Sequence, residues 1–271
     1  MSEKTARSFL TKRRAIPMQK TVDFTTKYTF YNNDKPANIT MGWEYEIDNP
    51  EINNEGATET IGYDSLNRKW TNFQQTIAKE LGDEFKFCSD GSHTYYKNGN
   101  MYHTRGLEVR SPVGPTAYAK MWARQLLPFT EVVKEHNGDL NNGGIHVNIS
   151  KNKYTDKRWE RVRDFLHNPK YYSLLLKISD RTNNKFRFNA PQTGNGDGKF
   201  GIITRGKRYA YEIRMFGAHT EVFIPAIEFS DAVFHYASDD VSVITPDPFF
   251  SWIDSKRNYV NLSRYIHKKL A

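Results

Sequence analysis

Gly42-Trp43-Glu44-Tyr45-Glu46-Ile47-Asp48 alternates without a break, and the reading of the rest of the chain follows from its phase. In a strand, Trp43, Tyr45 and Ile47 fall on one face, and Glu44, Glu46 and Asp48 on the other. The apolar face demands a packing partner. The acidic face is costly, because same-face neighbours lie roughly 7 Å apart, and two carboxylates brought to about 4 Å at an effective dielectric near 20 repel by about 4 kcal/mol. Either this face is solvated at a sheet edge, or something positive sits against it.

Three further stretches repeat the theme. Leu107-Glu108-Val109-Arg110-Ser111-Pro112 reads as a strand that puts Glu108 and Arg110 on one face and is ended by a proline without an amide hydrogen. Within Asn141 to Ser150, Ile145, Val147 and Ile149 point one way, so His146, Asn148 and Ser150 point the other. Tyr209 to Phe216 places Tyr209, Tyr211, Ile213 and Met215 on one face and Arg208, Ala210, Glu212, Arg214 and Phe216 on the opposite one. Taken singly, each polar face is also what a solvated surface strand or a satisfied structural histidine looks like.

Taken together they suggest one site. If the four strands share a sheet with helices on its apolar side, Glu44, Glu46, Glu108, His146, Glu212 and Arg214 converge on one surface. Four glutamates there carry a formal −4, which two Mg²⁺ ions would neutralise, and an oxygen-rich set with one imidazole suits Mg²⁺ or Mn²⁺. Paired metals about 4 Å apart are a common grip on a transferring phosphoryl group. Between Asn183 and Arg208, five glycines are interspersed with Lys185, Arg187, Lys199, Arg205, Lys207 and Arg208. Glycines let the backbone approach closely and the cations attract phosphate oxygens. The segment has no G-x-x-x-x-G-K-[ST] pattern, so it is either another kind of phosphate-binding loop or a plain surface loop.

The remaining elements are predicted from periodicity. Val22 to Phe30, with a polar turn at 32–38, reads as a hairpin leading into the acidic strand, and 49–64 as a loop. Leu66, Trp70, Phe73, Ile77 and Leu81 predict a helix from Ser65 to Gly82. Phe85 to Cys88 begins a strand, and Lys97-Asn98-Gly99-Asn100 reads as a tight turn between two short ones. Helices are expected from Pro115, over 155–167 and after Pro169, then two more over 219–237 and 247–267 with polar faces outward.

At 271 residues the chain can bury a substantial core, and 38% hydrophobic with 14% aromatic residues argues against disorder through most of it. One cysteine, Cys88, excludes an intramolecular disulfide and a cysteine-based zinc site, and reads as a buried strand thiol. No apolar run is long enough for a membrane span, and a cytoplasmic location is expected. The net charge of +8 favours an anionic partner. Residues 1–20 hold six cations against Glu3 alone and read as a basic tail, solvated or nucleic-acid-binding, ahead of a single domain over 21–271.

Five motifs in order resemble the amidoligase family of the carboxylate-amine ligase superfamily, which includes glutamine synthetase and glutamate-cysteine ligase. They are G-x-E-x-E at Gly42 to Glu46, Asp90-Gly91-Ser92, Glu108 to Pro112, Gly144-Ile145-His146-Val147-Asn148, and Glu212-Ile213-Arg214. The resemblance implies an α+β fold with a curved antiparallel sheet, a site on its concave face and helices behind. It implies ATP and Mg²⁺ or Mn²⁺ as cofactors, two ions in all, with small-molecule or peptide carboxylate and amine substrates. By motif position, Glu44, Glu46 and Glu108 resemble metal ligands. His146 and Glu212 resemble ligands of the ion nearest the nucleotide phosphates, and Arg214 a phosphate-binding arginine. Arg214 and Glu108 are the expected catalytic residues, and Lys199, Arg205, Lys207 and Arg208 of the basic glycine-containing segment, with Arg214, the expected nucleotide contacts. Asn148 stands where many members carry a second histidine. It can hydrogen-bond but cannot accept a proton at neutral pH.

The leading expectation is an enzyme that joins a carboxylate to an amine through an acyl phosphate. Relatives of the family occur in phage genomes, so a host cytoplasm is included in the expectation. Two alternatives stay open: a guanidino-type phosphotransferase, and a basic nucleic-acid-binding or virion accessory protein with a vestigial site. If the tail contacts nucleic acid, deleting residues 1–20 weakens binding and flattens its salt dependence in a titration, because fewer counterions are released. Unchanged affinity and slope would leave the tail a solvated extension.

Overall fold

The computed structural model describes residues 40–48, 62–63, 69–70, 86–90, 94–97, 100–103, 106–127, 130, 139–151, 155–181, 202–204, 210–237 and 240–271. In chain order these form β1 (Thr40–Asp48), β2 (Gly62–Tyr63), β3 (Lys69–Trp70), β4 (Lys86–Asp90), β5 (Thr94–Lys97), β6 (Asn100–His103), β7 (Gly106–Arg110), β8 (Gly114–Pro115), α1 (Thr116–Leu126), β9 (Asp139–Ser150), α2 (Asp156–Leu166), α3 (Tyr172–Ser179), β10 (Ile203–Thr204), β11 (Ala210–Gly217), α4 (Thr220–Tyr236), α5 (Pro246–Asp254) and α6 (Val260–Leu270). Short 3-10 turns at Pro169–Tyr171 and Arg257–Tyr259 lead into α3 and α6. The fold is α+β.

The principal sheet is open and antiparallel, in the order β10-β11-β9-β1-β7-β4, with β8 pairing the start of β1. All four strands expected to carry polar faces are therefore neighbours in one sheet. β1 sits at its centre because both its edges are taken, by β9 and β7. The tight turn at 97–100 is consistent with the direct pairing of Lys97 with Asn100 between β5 and β6.

The apolar face of the sheet packs on helices. Met41, Trp43, Tyr45 and Ile47 of β1 join Val109, Ile145, Val147, Ile149 and Ile213 in one buried cluster. Phe223 of α4 meets Trp43 edge-on at 4.7 Å and stacks on Tyr45 at 5.3 Å. Trp43 donates its indole N–H to the Ala119 carbonyl of α1, and Tyr45 its hydroxyl to the Ala218 carbonyl, so both aromatics have polar ends satisfied inside the core. Burial pushes the Tyr45 hydroxyl well above its ordinary pKa, keeping it a neutral donor.

Several expectations need correction. The helix from Ser65 conflicts with Lys69–Trp70, which pairs with Gly62–Tyr63 as a short antiparallel ladder; aromatic residues favour strands, and this pairing outweighed the helical spacing. The same pairing removes Gly62 and Tyr63 from the loop expected over 49–64. The rest of that helix, the Val22 to Phe30 hairpin and the tail lie outside the described residues. The stretch expected over 247–267 is two helices, because Lys256 adopts an extended conformation between them.

α4 does not turn a polar face outward. It is buried from Val222 through Phe234, ringed by α1, α2, α5 and α6. Its two inward acids are anchors. Glu228 accepts hydrogen bonds from Lys120 Nζ at 2.9 Å, Asn261 Nδ2 at 2.7 Å and the Leu262 amide at 2.8 Å. Asp231 accepts from Thr116 and Tyr259. These bonds tie α4 to α1 and α6 and make both carboxylates tolerable inside. Glu228→Ala is expected to lower the unfolding free energy by about 3 kcal/mol in urea denaturation, since it removes the charge partner of the part-buried Lys120 ammonium and the acceptor of the buried Leu262 amide. Glu228→Gln, which keeps an acceptor, should cost less.

Candidate metal centre

The register of β1 places its acids in two rows across the polar face. Glu44 lies between His146 of β9 and Arg110 of β7, and Glu46 lies between Gly144 and Glu108. On the far side of β9, Asn148 stands opposite Glu212 of β11. Glu44, Glu46, Glu108, His146, Asn148 and Glu212 are each at most 8% exposed. Carboxylates so enclosed carry a penalty of several kcal/mol apiece unless charge or hydrogen bonds compensate. Asp48, the third acid of the run, lies beyond a register shift, opposite Asp139.

The imidazole of His146 is the hub. Its Nδ1 is 3.2 Å from Glu46 Oε1, 3.7 Å from Glu212 Oε1 and 4.0 Å from Glu44 Oε2. One ligand atom each from Glu44, His146 and Glu212 can be chosen so that all lie within 4.8 Å of one another. Ligands of a Mg²⁺-sized ion at about 2.1 Å stand about 3 to 4 Å apart, so a small closure of these side chains would enclose one. The two carboxylates suit Mg²⁺ or Mn²⁺, and the imidazole adds one nitrogen donor to an otherwise oxygen-donating set. Glu46 touches the hub without belonging to that group of three. Glu108 lies on the same face but is ion-paired with Arg110, which also approaches Glu44 at 4.0 Å.

Arg214 shares the polar face with Glu212, two residues before it, and β11 becomes irregular around it. Ile213 pairs with Val147 and Phe216 with Ile145, so Arg214 and Met215 together stand opposite the single residue His146. Such a bulge re-aims side chains. Arg214 turns to the polar face and donates to Glu212 Oε2 at 3.2 Å, while Met215 and Phe216 both enter the core. The expected placement of Phe216 on the polar face is thereby corrected. Burial, the largest single influence on the Arg214 guanidinium, would lower its pKa, but Glu212, Glu46 and Glu44 together hold it above its ordinary value.

A second guanidinium arrives from a direction the sequence pattern did not indicate. Asp180, after α3, takes a left-handed conformation at φ 52°, unusual for a residue with a side chain. Lys269 of α6 holds its carboxylate at 2.7 Å, and Tyr265 of α6 donates to the Ile178 carbonyl. The turn sends Arg181 back to the sheet, where Nη1 donates to the Arg214 carbonyl at 2.8 Å. A Cβ at Gly144 would lie 2.9 Å from Arg181 Nη2, so glycine there leaves the room that the guanidinium uses. Burial lowers the Arg181 pKa to about 10, with Glu46 opposing and Arg214 reinforcing the shift.

Among the described residues, four carboxylates and the guanidiniums of Arg110, Arg181 and Arg214 leave this layer at a formal −1 with His146 neutral. Lys199, Arg205, Lys207 and Arg208 lie outside the described residues. No helix among the described residues is long and apolar enough to cross a membrane.

No family model and no curated protein matches the sequence. Among solved structures, the chain is similar to a crystal structure described as a novel glutamine synthase homolog, at 12% identity and a TM-score of 0.46. The match covers 85% of this chain and 64% of that one, less than two thirds of its length. A likeness this weak carries no argument about fold or activity.

The three-residue group is testable directly. His146→Ala or Glu212→Gln should lower affinity for Mn²⁺ or Mg²⁺ on the order of tenfold or more in calorimetry. Glu108→Gln, on the Arg110 side, should have the smaller effect. Equal affinities across all three variants and the wild type would remove the metal centre.

Proposed function

We propose that the chain is an ATP- and Mg²⁺-dependent ligase that joins a carboxylate to an amine, and that its sheet is the curved, glutamine synthetase-like form with the site on the concave face. The observation that carries this is the convergence of Glu44, His146 and Glu212 ligand atoms within 4.8 Å, beside Arg214, from three strands far apart in sequence. The five ordered motifs add to it. Mg²⁺ bound there would supply Lewis-acid neutralisation of phosphate oxygens.

The protein's own groups have separable roles in this proposal. Glu44, His146 and Glu212 hold the ion, with Glu46 beside His146 and Glu108 beside Arg110 as the further carboxylates of the set. Glu108 is also the second catalytic group of the pair. Arg214, cationic at any physiological pH, presents guanidinium N–H groups to the oxygens of the transferring phosphoryl group, where charge builds up. Lys199, Arg205, Lys207 and Arg208 hold the rest of the nucleotide. The substrate carboxylate attacks the terminal phosphorus and ADP departs. The amine then attacks the acyl carbon, loses a proton, and phosphate leaves as the amide forms. A small molecule or a peptide supplies carboxylate and amine, in a cytoplasm that is the host's if the gene is a phage's.

The test is the product of turnover in the presence of candidate amines. ADP and phosphate are expected, and Glu212→Ala or His146→Ala should reduce the rate about 100-fold or more, a loss of roughly 3 kcal/mol of transition-state stabilisation. Arg214→Ala should do similar damage while leaving the metal bound. AMP with pyrophosphate would overturn the mechanism, and ADP without phosphate would indicate transfer to a guanidino nitrogen. Tight nucleic-acid binding with no nucleotide turnover would favour the accessory protein.

A further inference from the structure

We propose that Asn148 is an inner-sphere oxygen ligand of the cation held by Glu44 and Glu212, so that an amide carbonyl completes the site. This rests on the metal-dependent reading above. Asn148 is 4% exposed, and its Nδ2 donates to Glu44 Oε1 at 3.2 Å. An ionised carboxylate only accepts, so the nitrogen is the end that must face Glu44, and the orientation of the amide is settled chemically. Its Oδ1 is buried and accepts no hydrogen bond among the described residues.

Buried carbonyl oxygens are nearly always paired. The Cα partners of Asn148 offer this one nothing: Glu212 on β11 is itself an acceptor, and Gly42 on β1 has no side chain. A carbonyl placed among carboxylates gains most from a hard cation shared with them, and Mg²⁺ takes amide and carboxylate oxygens alike. The two ends of one side chain thus do different things. The N–H orients Glu44, and the oxygen meets the ion that Glu44 and Glu212 bind.

Two substitutions separate those ends. Asn148→Asp keeps an oxygen and loses the donor to Glu44, whereas Asn148→His keeps a donor and replaces the oxygen by nitrogen. In calorimetry of the full chain with Mg²⁺ alone and with Ni²⁺ alone, Asn148→Asp should bind Mg²⁺ at least as tightly as the wild type. Asn148→His should bind Mg²⁺ on the order of tenfold more weakly and shift in preference toward Ni²⁺, which nitrogen donors suit. A purely structural amide predicts the reverse: Mg²⁺ binding weakened in Asn148→Asp, and unchanged binding and preference in Asn148→His. That result overturns the inference. Should Asn148→Asp fail to fold with a fifth acid in the layer, the Asn148→His preference decides alone. Wild-type binding of neither ion ends both this inference and the metal centre. Wild-type binding that Glu212→Gln weakens while Asn148→His leaves it intact ends only the inference.

Discussion

Strand β1 is held from both sides at once. Trp43 and Tyr45 are pinned through their polar ends to Ala119 and Ala218 and through their rings to Phe223, while Glu44 and Glu46 lie against His146. Successive side chains of a strand point to opposite faces, so the two sets share one register. A slip of a single residue would bury the acids among aromatics and lift the aromatics into the polar layer. The hydrophobic core therefore sets the site's geometry, and strength of packing on one face becomes precision on the other.

That precision matters because the polar layer is electrostatically expensive. Four buried carboxylates repel one another, and the structure offsets them with three guanidiniums that reach the layer from β7, β11 and the turn after α3. None of the three can relax far, since each is tied to a neighbouring carboxylate or carbonyl. Interactions fixed before a ligand arrives need no reorganisation when it binds, which is the condition under which charge contributes most to catalysis.

The parts of this arrangement that follow strict alternation were legible in the sequence. β7, β1 up to Glu46 and β9 from Gly144 keep period two, so the phase of Glu44, Glu46, Glu108, His146 and Asn148 could be read directly. β11 could be read only as far as its bulge. The signal there is Met215-Phe216, two large apolar neighbours that a regular strand cannot both turn to the core. Arg181 left no pattern, since its position depends on the left-handed turn at Asp180 and on contacts from α6. Glu228 and Asp231 have the spacing of a solvated helix face, yet the apolar residues around the rest of α4 marked a helix buried on all sides, where acids must find partners.

The clasp between α6 and the end of α3 bears on how the site comes into being during synthesis. Asn148 follows Glu44 by 104 positions, and Tyr265 reaches back over 87 to the Ile178 carbonyl. As the chain leaves the ribosome, the acids of β1 appear long before the groups that balance them, and Arg181 gains its Lys269 and Tyr265 supports only when α6 has been made. The acids of β1 thus precede Arg110, Arg181 and Arg214 in synthesis, and the layer is balanced only once all three have been made. Contacts so remote in sequence form slowly, so the balance of charge in this layer is among the last features of the fold to be completed.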